Sequence, residues 1–200
     1  MFNFLKKLAL VVVFHHLPGI YLFLNEMPEN NHGVEPLVVI EQEESIEFNK
    51  LKTTIPTLSG EWIVNIRFKM FGNEVSSTGY CNILHMTHDS NVATYGDRSP
   101  CIYYRIDGNL FSITSAVNGV ITHSKYVDPV QFNTEYNVEI HQRYKSGGVY
   151  KYSILLNGEE IHSTDNTQAE QFHDVKVYTG SPWSKACNGT ISQLKITNFL

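Results

Sequence analysis

The chain has 200 residues, 42% of them apolar, with 15 Lys and Arg against 20 Asp and Glu for a formal charge of −5. That length suits one domain, with or without a processed leader, and the apolar fraction supports a core, which excludes wholesale disorder. A mildly acidic balance lacks the clustered cations that a phosphate backbone requires and argues against nucleic acid as a partner.

Taken in chain order, residues 1–24 read as a targeting segment. Lys6 and Lys7 form a short basic region before the apolar run Leu8 to Phe14. His15-His16 interrupts the run, no small-x-small cleavage site follows, and a second apolar stretch runs from Ile20 to Leu24. Leu8 to Leu24 is 17 residues with Pro18-Gly19 inside it, short of the ~20 apolar residues of a clean span. A cleaved secretory signal is therefore preferred to an uncleaved signal anchor and to a buried N-terminal helix. A membrane is a partner only if the segment stays as an anchor, and the expected location is extracellular. Residues 25–47 hold seven acids and no Lys or Arg, broken by Pro28, Gly33 and Pro36. They read as a solvated acidic spacer in which Leu37 to Ile40 suggests a short strand. Residues 48–200 form the domain, where 13 bases face 13 acids, so it is neutral.

Within the domain no sustained helical period exists and alternation dominates. Trp62, Val64, Ile66, Phe68 and Met70 share one face of a long strand, opposite Ile63, Asn65, Arg67 and Lys69. Tyr80–Met86, Cys101–Ile106, Leu110–Ala116 and Val120–Lys125 follow as strand candidates. Tyr136, Val138, Ile140 and Tyr144 repeat the alternation, then Tyr150, Tyr152, Ile154 and Leu156, before Val175–Thr179 and Thr190–Phe199. Asp107-Gly108, Asn118-Gly119 and Asn157-Gly158 signal tight hairpins, because a type I′ turn needs positive φ at both central residues. Short strands with turns between them predict an all-β antiparallel sandwich or barrel.

Five segments carry a resemblance. They are Thr54-Ile55-Pro56-Thr57-Leu58-Ser59-Gly60-Glu61-Trp62 ahead of the first long strand, Tyr95-Gly96-Asp97-Arg98-Ser99-Pro100, and Ser115-Ala116-Val117-Asn118-Gly119. The others are Tyr144 to Gly158 and Val177-Tyr178-Thr179-Gly180-Ser181-Pro182-Trp183. In this order and spacing, over about Phe48 to Leu200, they resemble the concanavalin A-like lectin/glucanase superfamily, and within it small secreted laminin-G-like domains. The resemblance implies a two-sheet jelly-roll sandwich and a non-enzymatic lectin-like module that binds a glycan. The alternative it implies is an extracellular protein-interaction or matrix module. Fold is implied more firmly than activity.

Glycosidases of the superfamily carry a Glu-x-Asp-x-Glu type run, because hydrolysis needs two carboxylates flanking the bond. No such run exists here: Glu41-Gln42-Glu43-Glu44 lacks the Asp and lies in the acidic spacer. Glu139-Ile140-His141 puts a carboxylate and an imidazole on one strand face, a pattern that the polar face of any sheet also shows. A glycosidase is therefore the least favoured reading. No nucleophile elbow or phosphate-cradling loop occurs. His85 and His88, three apart, fall on opposite faces of a strand, which a zinc site does not want.

The resemblance makes calcium the one cofactor to consider, with Asp89, Asn91 and Asp97 in the Thr87–Pro100 loop as candidate ligands. Calcium wants six to eight oxygens, so backbone or water would complete the set. The competing reading pairs Asp97 with Arg98 and uses Asp97 to cap the turn at Gly96. Sugar sites combine an aromatic platform with orienting polar groups. The expected ligand-binding residues are accordingly Asp89, Asn91, Tyr95, Asp97, Arg98 and Trp183, with Trp183 alternatively a lid over the core edge. Of the three cysteines, Cys81 and Cys101 are preferred as a disulfide over Cys101–Cys187 and Cys81–Cys187. The third thiol is then buried or links two chains. Asn188-Gly189-Thr190 is the one glycosylation sequon, close to Trp183.

Overall fold

A computed structural model describes residues 32–200; the targeting segment read in residues 1–24, and the first part of the spacer, lie outside the described residues. Thirteen strands make up the described chain. They are β1 (Leu37–Ile40), β2 (Glu44–Ser45), β3 (Leu51–Leu58), β4 (Trp62–Met70), β5 (Tyr80–Thr87), β6 (Cys101–Arg105) and β7 (Leu110–Val117). β8 (Val120–Val127), β9 (Glu135–Ser146), β10 (Val149–Leu156), β11 (Glu159–Asn166), β12 (Phe172–Tyr178) and β13 (Gly189–Asn198) complete the set. A seven-stranded sheet runs β1-β13-β4-β9-β10-β11 with β2 also on β13, and a six-stranded sheet runs β3-β12-β5-β6-β7-β8. Every strand pairing is antiparallel.

The core lies between the two sheets. From β4 it receives Trp62, Val64, Ile66, Phe68 and Met70, the alternate residues the sequence pattern selects. Phe68 of one sheet meets Phe111 of the other edge-on, with ring centroids 5.4 Å apart, and Tyr136 packs on both rings. Each such buried side chain contributes about 1.5–3 kcal/mol. Where the edges of β8 and β11 meet, His123 and His162 share a 2.9 Å Nε2–Nε2 hydrogen bond over Tyr152, whose hydroxyl donates to Ser115. Asn118-Gly119 and Asn157-Gly158 have positive φ at both positions, as a type I′ hairpin demands.

Two sequence expectations need correction here. The short strand suggested at Leu37–Ile40 forms as β1, but residues 37–45 belong to the folded domain and not to a solvated spacer, because β1 and β2 pair with β13 and Ile40 and Ile46 enter the core. Tyr144 is exposed, and Gln142 takes the inward position on β9 instead, bonding Gly60 O and Asn166.

One irregularity positions the site. In β5, Asn82 pairs with Tyr103 and Leu84 with Ile102, so Ile83 is a bulged extra residue. Ile83 and Leu84 both face the core, and the bulge brings Asn82 and His85, three apart, onto the same outer face.

Candidate functional site

That outer face carries a cleft of about 350 Å³, lined by Thr78, Tyr80, Asn82, His85 and Asn91 on one stretch of chain and by Arg98, Cys101, Tyr103, Trp183 and Ser184 on others. Its volume falls in the range of small-molecule sites, ~300–1,000 Å³.

The Trp183 wall is held by β5. Beyond Tyr178 the chain leaves β12 and continues along the N-terminal half of β5. There Asn82 N–H donates to Lys185 O, Cys187 N–H donates to Asn82 O, and Gly180 N–H donates to Ile83 O. The buried Asn82 side chain accepts from Ser181 N–H at 2.9 Å. The disulfide joins Cys81 to Cys187, which corrects the expected Cys81–Cys101 pair. Cys81 faces the core opposite Tyr104, whereas Cys101 lies on the outer face opposite His85, so the two sulfurs are on different sides of the sheet. Cys101 is the free, buried thiol. Trp183 sits over His85 with ring centroids 5.2 Å apart and meets the Tyr178 ring edge-on, leaving 42% of its surface exposed. It is thus both a cover for a buried histidine and an accessible aromatic face.

The floor is polar but committed. His85 is buried, and its Nε2 lies 2.8 Å from the Asp97 carbonyl oxygen, so Nε2 carries the proton and donates. Burial pushes the imidazole down to about 4, keeping it neutral at physiological pH. Its Nδ1 then accepts from the Cys101 thiol at 3.6 Å. Burial pushes that thiol up to about 12, so it stays protonated and unreactive.

The opposite wall is Tyr80, Tyr103 and Arg98. The tyrosine rings meet edge-on at 5.6 Å, and the Arg98 guanidinium lies 5.4 Å from the Tyr103 ring centre. Arg98 Nε donates to Asn91 O and Nη2 donates to Asn91 Oδ1, both at 3.2 Å. The expected local Asp97–Arg98 pair is therefore absent, and Asn91 takes its place.

Asp97 points elsewhere. It is fully buried within the 88–100 loop, where Ser90 N–H donates to one carboxylate oxygen and Ser90 Oγ–H and Thr94 N–H donate to the other, at 2.7–2.9 Å. Burial alone raises a carboxyl, but these hydrogen bonds outweigh it and hold Asp97 down to about 2. The turn beneath it needs Gly96, with φ +101°, because an added Cβ would overlap the Phe172 ring. Tyr95 anchors the same loop through its hydroxyl to Gln168 O and through ring contact with Phe172.

Of the six residues expected to bind ligand, the structure thus brings Asn91, Arg98 and Trp183 to the cleft, and leaves Asp89, Tyr95 and Asp97 outside it. The calcium set is not assembled. Asp97 has donors on both oxygens, Asn91 faces a guanidinium that repels a cation, and Asp89 is exposed. Among the described residues, no group of three or more His, Cys, Asp or Glu converges as a metal site. Tyr80, Asn82, His85 and Tyr103 of β5 and β6 are among the lining residues that sequence reasoning missed. Only the bulge and the β5–β6 register place them together.

A second, smaller cleft of about 200 Å³ lies on the outer face of the seven-stranded sheet, lined by Asn65, Arg67, Asn137, Glu139, Gln193 and Lys195. Glu139 is the one carboxylate in that lining, and its Oε2 lies 3.3 Å from His141 Nε2. The paired carboxylates of a glycosidase are not found there.

No family model matches the chain, and no curated protein matches its sequence. Solved structures do match. A heptameric SAP-like pentraxin from Limulus polyphemus superimposes with a TM-score of 0.51 at 14% identity, over 82% of this chain and 80% of that one. The fold is the concanavalin A-like jelly-roll sandwich. An endo-β-1,4-glucuronan lyase from the fungus Trichoderma reesei gives a TM-score of 0.47 at 11% identity, over 83% of this chain and 78% of that one. A sialidase from Trypanosoma rangeli gives 0.48 at 12% identity, over 69% of this chain but 20% of that one. At 14% identity the likeness to the pentraxin establishes the fold alone.

Proposed function

We propose that this jelly roll is a secreted, non-catalytic carbohydrate-binding module whose sugar site is the cleft between the Trp183 loop and the outer face of β5 and β6. The observation that carries this reading is Trp183, a large aromatic face exposed at a concave polar site and pinned there by a disulfide and by Asn82. Sugar rings present apolar C–H faces to such a platform while their hydroxyls bond to groups placed as Asn91, Ser184, Tyr80 and Tyr103 are.

A binding role is favoured over catalysis by how the titratable groups are used. His85 and Cys101 are turned to each other and to Asp97 O rather than poised as an acid–base pair, and the lining contains no carboxylate. The secretory assignment is supported by the disulfide, since such bonds persist in oxidising compartments. The sequon asparagine, Asn188, is exposed and hydrogen-bonds Glu74, a position open to a glycan beside the Trp183 loop.

The test is a glycan array followed by titration calorimetry with Trp183→Ala. Binding of an oligosaccharide, weakened about tenfold or more by the substitution, is expected. Absence of binding to any glycan, or binding unchanged by Trp183→Ala, overturns the proposal. Recovery of an extracellular protein partner in that case would favour the matrix-module alternative.

A further inference from the structure

The described chain holds four arginines, and three of them have acidic partners. Arg67 lies 3.9 Å from Glu135, Arg105 pairs with Asp107, and Arg143 pairs with Glu61 at 2.9 Å. Among the described residues Arg98 has none within 4 Å and hydrogen-bonds only the carbonyl and amide oxygens of Asn91, both neutral. Those two contacts use two of the five N–H donors of a guanidinium, and the Tyr103 ring supports its face. The side chain is thus oriented in advance while three donors stay free.

The cleft has no other formal charge. Its remaining lining residues are Thr78, Tyr80, Asn82, Asn91, Tyr103, Trp183 and Ser184, with His85 and Cys101 both held neutral by burial. The acid nearest in sequence, Asp97, is saturated by Ser90 and Thr94 and does not line the cleft. Lys185, next in sequence to the lining Ser184, is already paired with Glu74. A cation held in a concave site with its counter-charge withheld attracts an anion, and a planar guanidinium fits a carboxylate with two parallel hydrogen bonds.

We infer that the cleft selects acidic sugars, with a uronate carboxylate or a sulfate ester of the glycan bound by Arg98 while the ring lies on Trp183. This rests on the reading of the cleft as a carbohydrate site. Arg98 is the specificity residue and Trp183 supplies affinity for sugar rings in general. A carboxylate uses the fork geometry, so Arg98→Lys, which keeps a point charge but loses the fork, weakens uronate binding more than sulfate binding.

The experiment is an array of neutral, uronate-containing and sulfated oligosaccharides. Titrations then use wild type, Arg98→Gln and Arg98→Lys, each checked for an unchanged melting temperature. Acidic oligosaccharides are expected to bind, and Arg98→Gln is expected to weaken them about 10- to 100-fold, with binding falling as salt rises. A second arm needs no variant. Carboxyl-reduced or desulfated forms of the bound oligosaccharide should lose a similar factor on the wild-type protein, and which treatment abolishes binding tells carboxylate from sulfate. Binding of neutral glycans that is sensitive to Trp183→Ala but not to Arg98→Gln would overturn this inference and leave the carbohydrate site standing. Equal binding of the reduced, desulfated and native forms would overturn it as well. Binding of no glycan at all would overturn both.

Discussion

The Asp97 carboxylate is surrounded by four hydrogen-bond donors and no solvent, whereas the Arg98 guanidinium one residue later hydrogen-bonds only Asn91, rests on the Tyr103 ring and opens on the cleft. The two residues share a loop and carry opposite charges, yet they do not pair. Asp97 draws the 88–100 loop together from inside, and its own carbonyl reaches His85 beneath the cleft. Arg98 is left with donors to spare at the surface of a concave site. A saturated charge of this kind stabilises the fold, and an unsaturated, pre-oriented charge is available to a ligand. Side chains on the Asp97 side should therefore act on stability, and those on the Arg98 side on binding.

The strongest test of that division is the disulfide, because it serves both sides. Cys81 and Cys187 are 106 residues apart in sequence, and closing a loop of that size stabilises by about 4–5 kcal/mol in the chain-entropy account. A Cys81→Ala, Cys187→Ala protein should lose most of that in urea unfolding and should also lose glycan binding, since the Trp183 loop is freed. Retention of full affinity would show that Asn82 alone positions the loop.

Asp97→Ala comes next. It strands the Ser90 N–H, Ser90 Oγ–H and Thr94 N–H, and should cost about 3–4 kcal/mol by chemical denaturation. At temperatures where the variant is folded, Arg98-dependent binding should be weakened no more than about threefold. A much larger loss of affinity would break the division.

The pH dependence separates two buried groups. His85 titrates near 4 in the folded protein against about 6.5 when unfolded. Its contribution is present above pH 6.5 and is lost as pH falls toward 4, by about 3 kcal/mol. Asp97 is held down at about 2 against about 3.9 unfolded, so its contribution of about 2 kcal/mol persists to lower pH and is lost between about pH 4 and 2. Urea midpoints measured from pH 7 to pH 2 should show the upper arm missing in His85→Gln and the lower arm missing in Asp97→Asn.

The smallest expected effect on stability is that of Trp183→Ala. Its half-exposed ring covers His85, so its loss should cost about 1 kcal/mol in denaturant while binding falls about tenfold or more. A stability loss several times larger, with binding intact, would make Trp183 the core lid that its position beside Tyr178 also suggests.

The central strands were legible because burial on one face imposes period-two alternation, as in Trp62 to Met70. The hairpins were legible because Asn118-Gly119 and Asn157-Gly158 supply the positive φ that their turns require. The edge strands β3 and β11 were not. β11 reads Glu-Glu-Ile-His-Ser-Thr-Asp-Asn, and β3 carries Pro56, because a strand with one neighbour and much solvent needs no apolar period. β2 was hidden among acids for the same reason, whereas the apolar run Leu37 to Ile40 marked β1. In the site, Asn91, Arg98 and Trp183 were found by residue type in the right loops. Asn82 and His85 were missed because three-residue spacing puts two side chains on opposite faces of a regular strand, and only the bulge at Ile83 reverses that.

Local alternation and turn chemistry determine an all-β antiparallel sandwich from the sequence alone, because each depends on residues a few positions apart. The cysteine partner, the faces of Asn82 and His85, and the separation of Asp97 from Arg98 were decided by tertiary structure. The first two depend on which segments lie beside β5 and on how a single extra residue shifts its register, and the third on hydrogen bonds within the 88–100 loop to Ser90, Thr94 and Asn91. The cysteine and β5 choices rest on contacts 16 to 106 residues apart, and the loop's on a three-dimensional closure between residues three to seven apart, neither of which an alternation or turn pattern encodes.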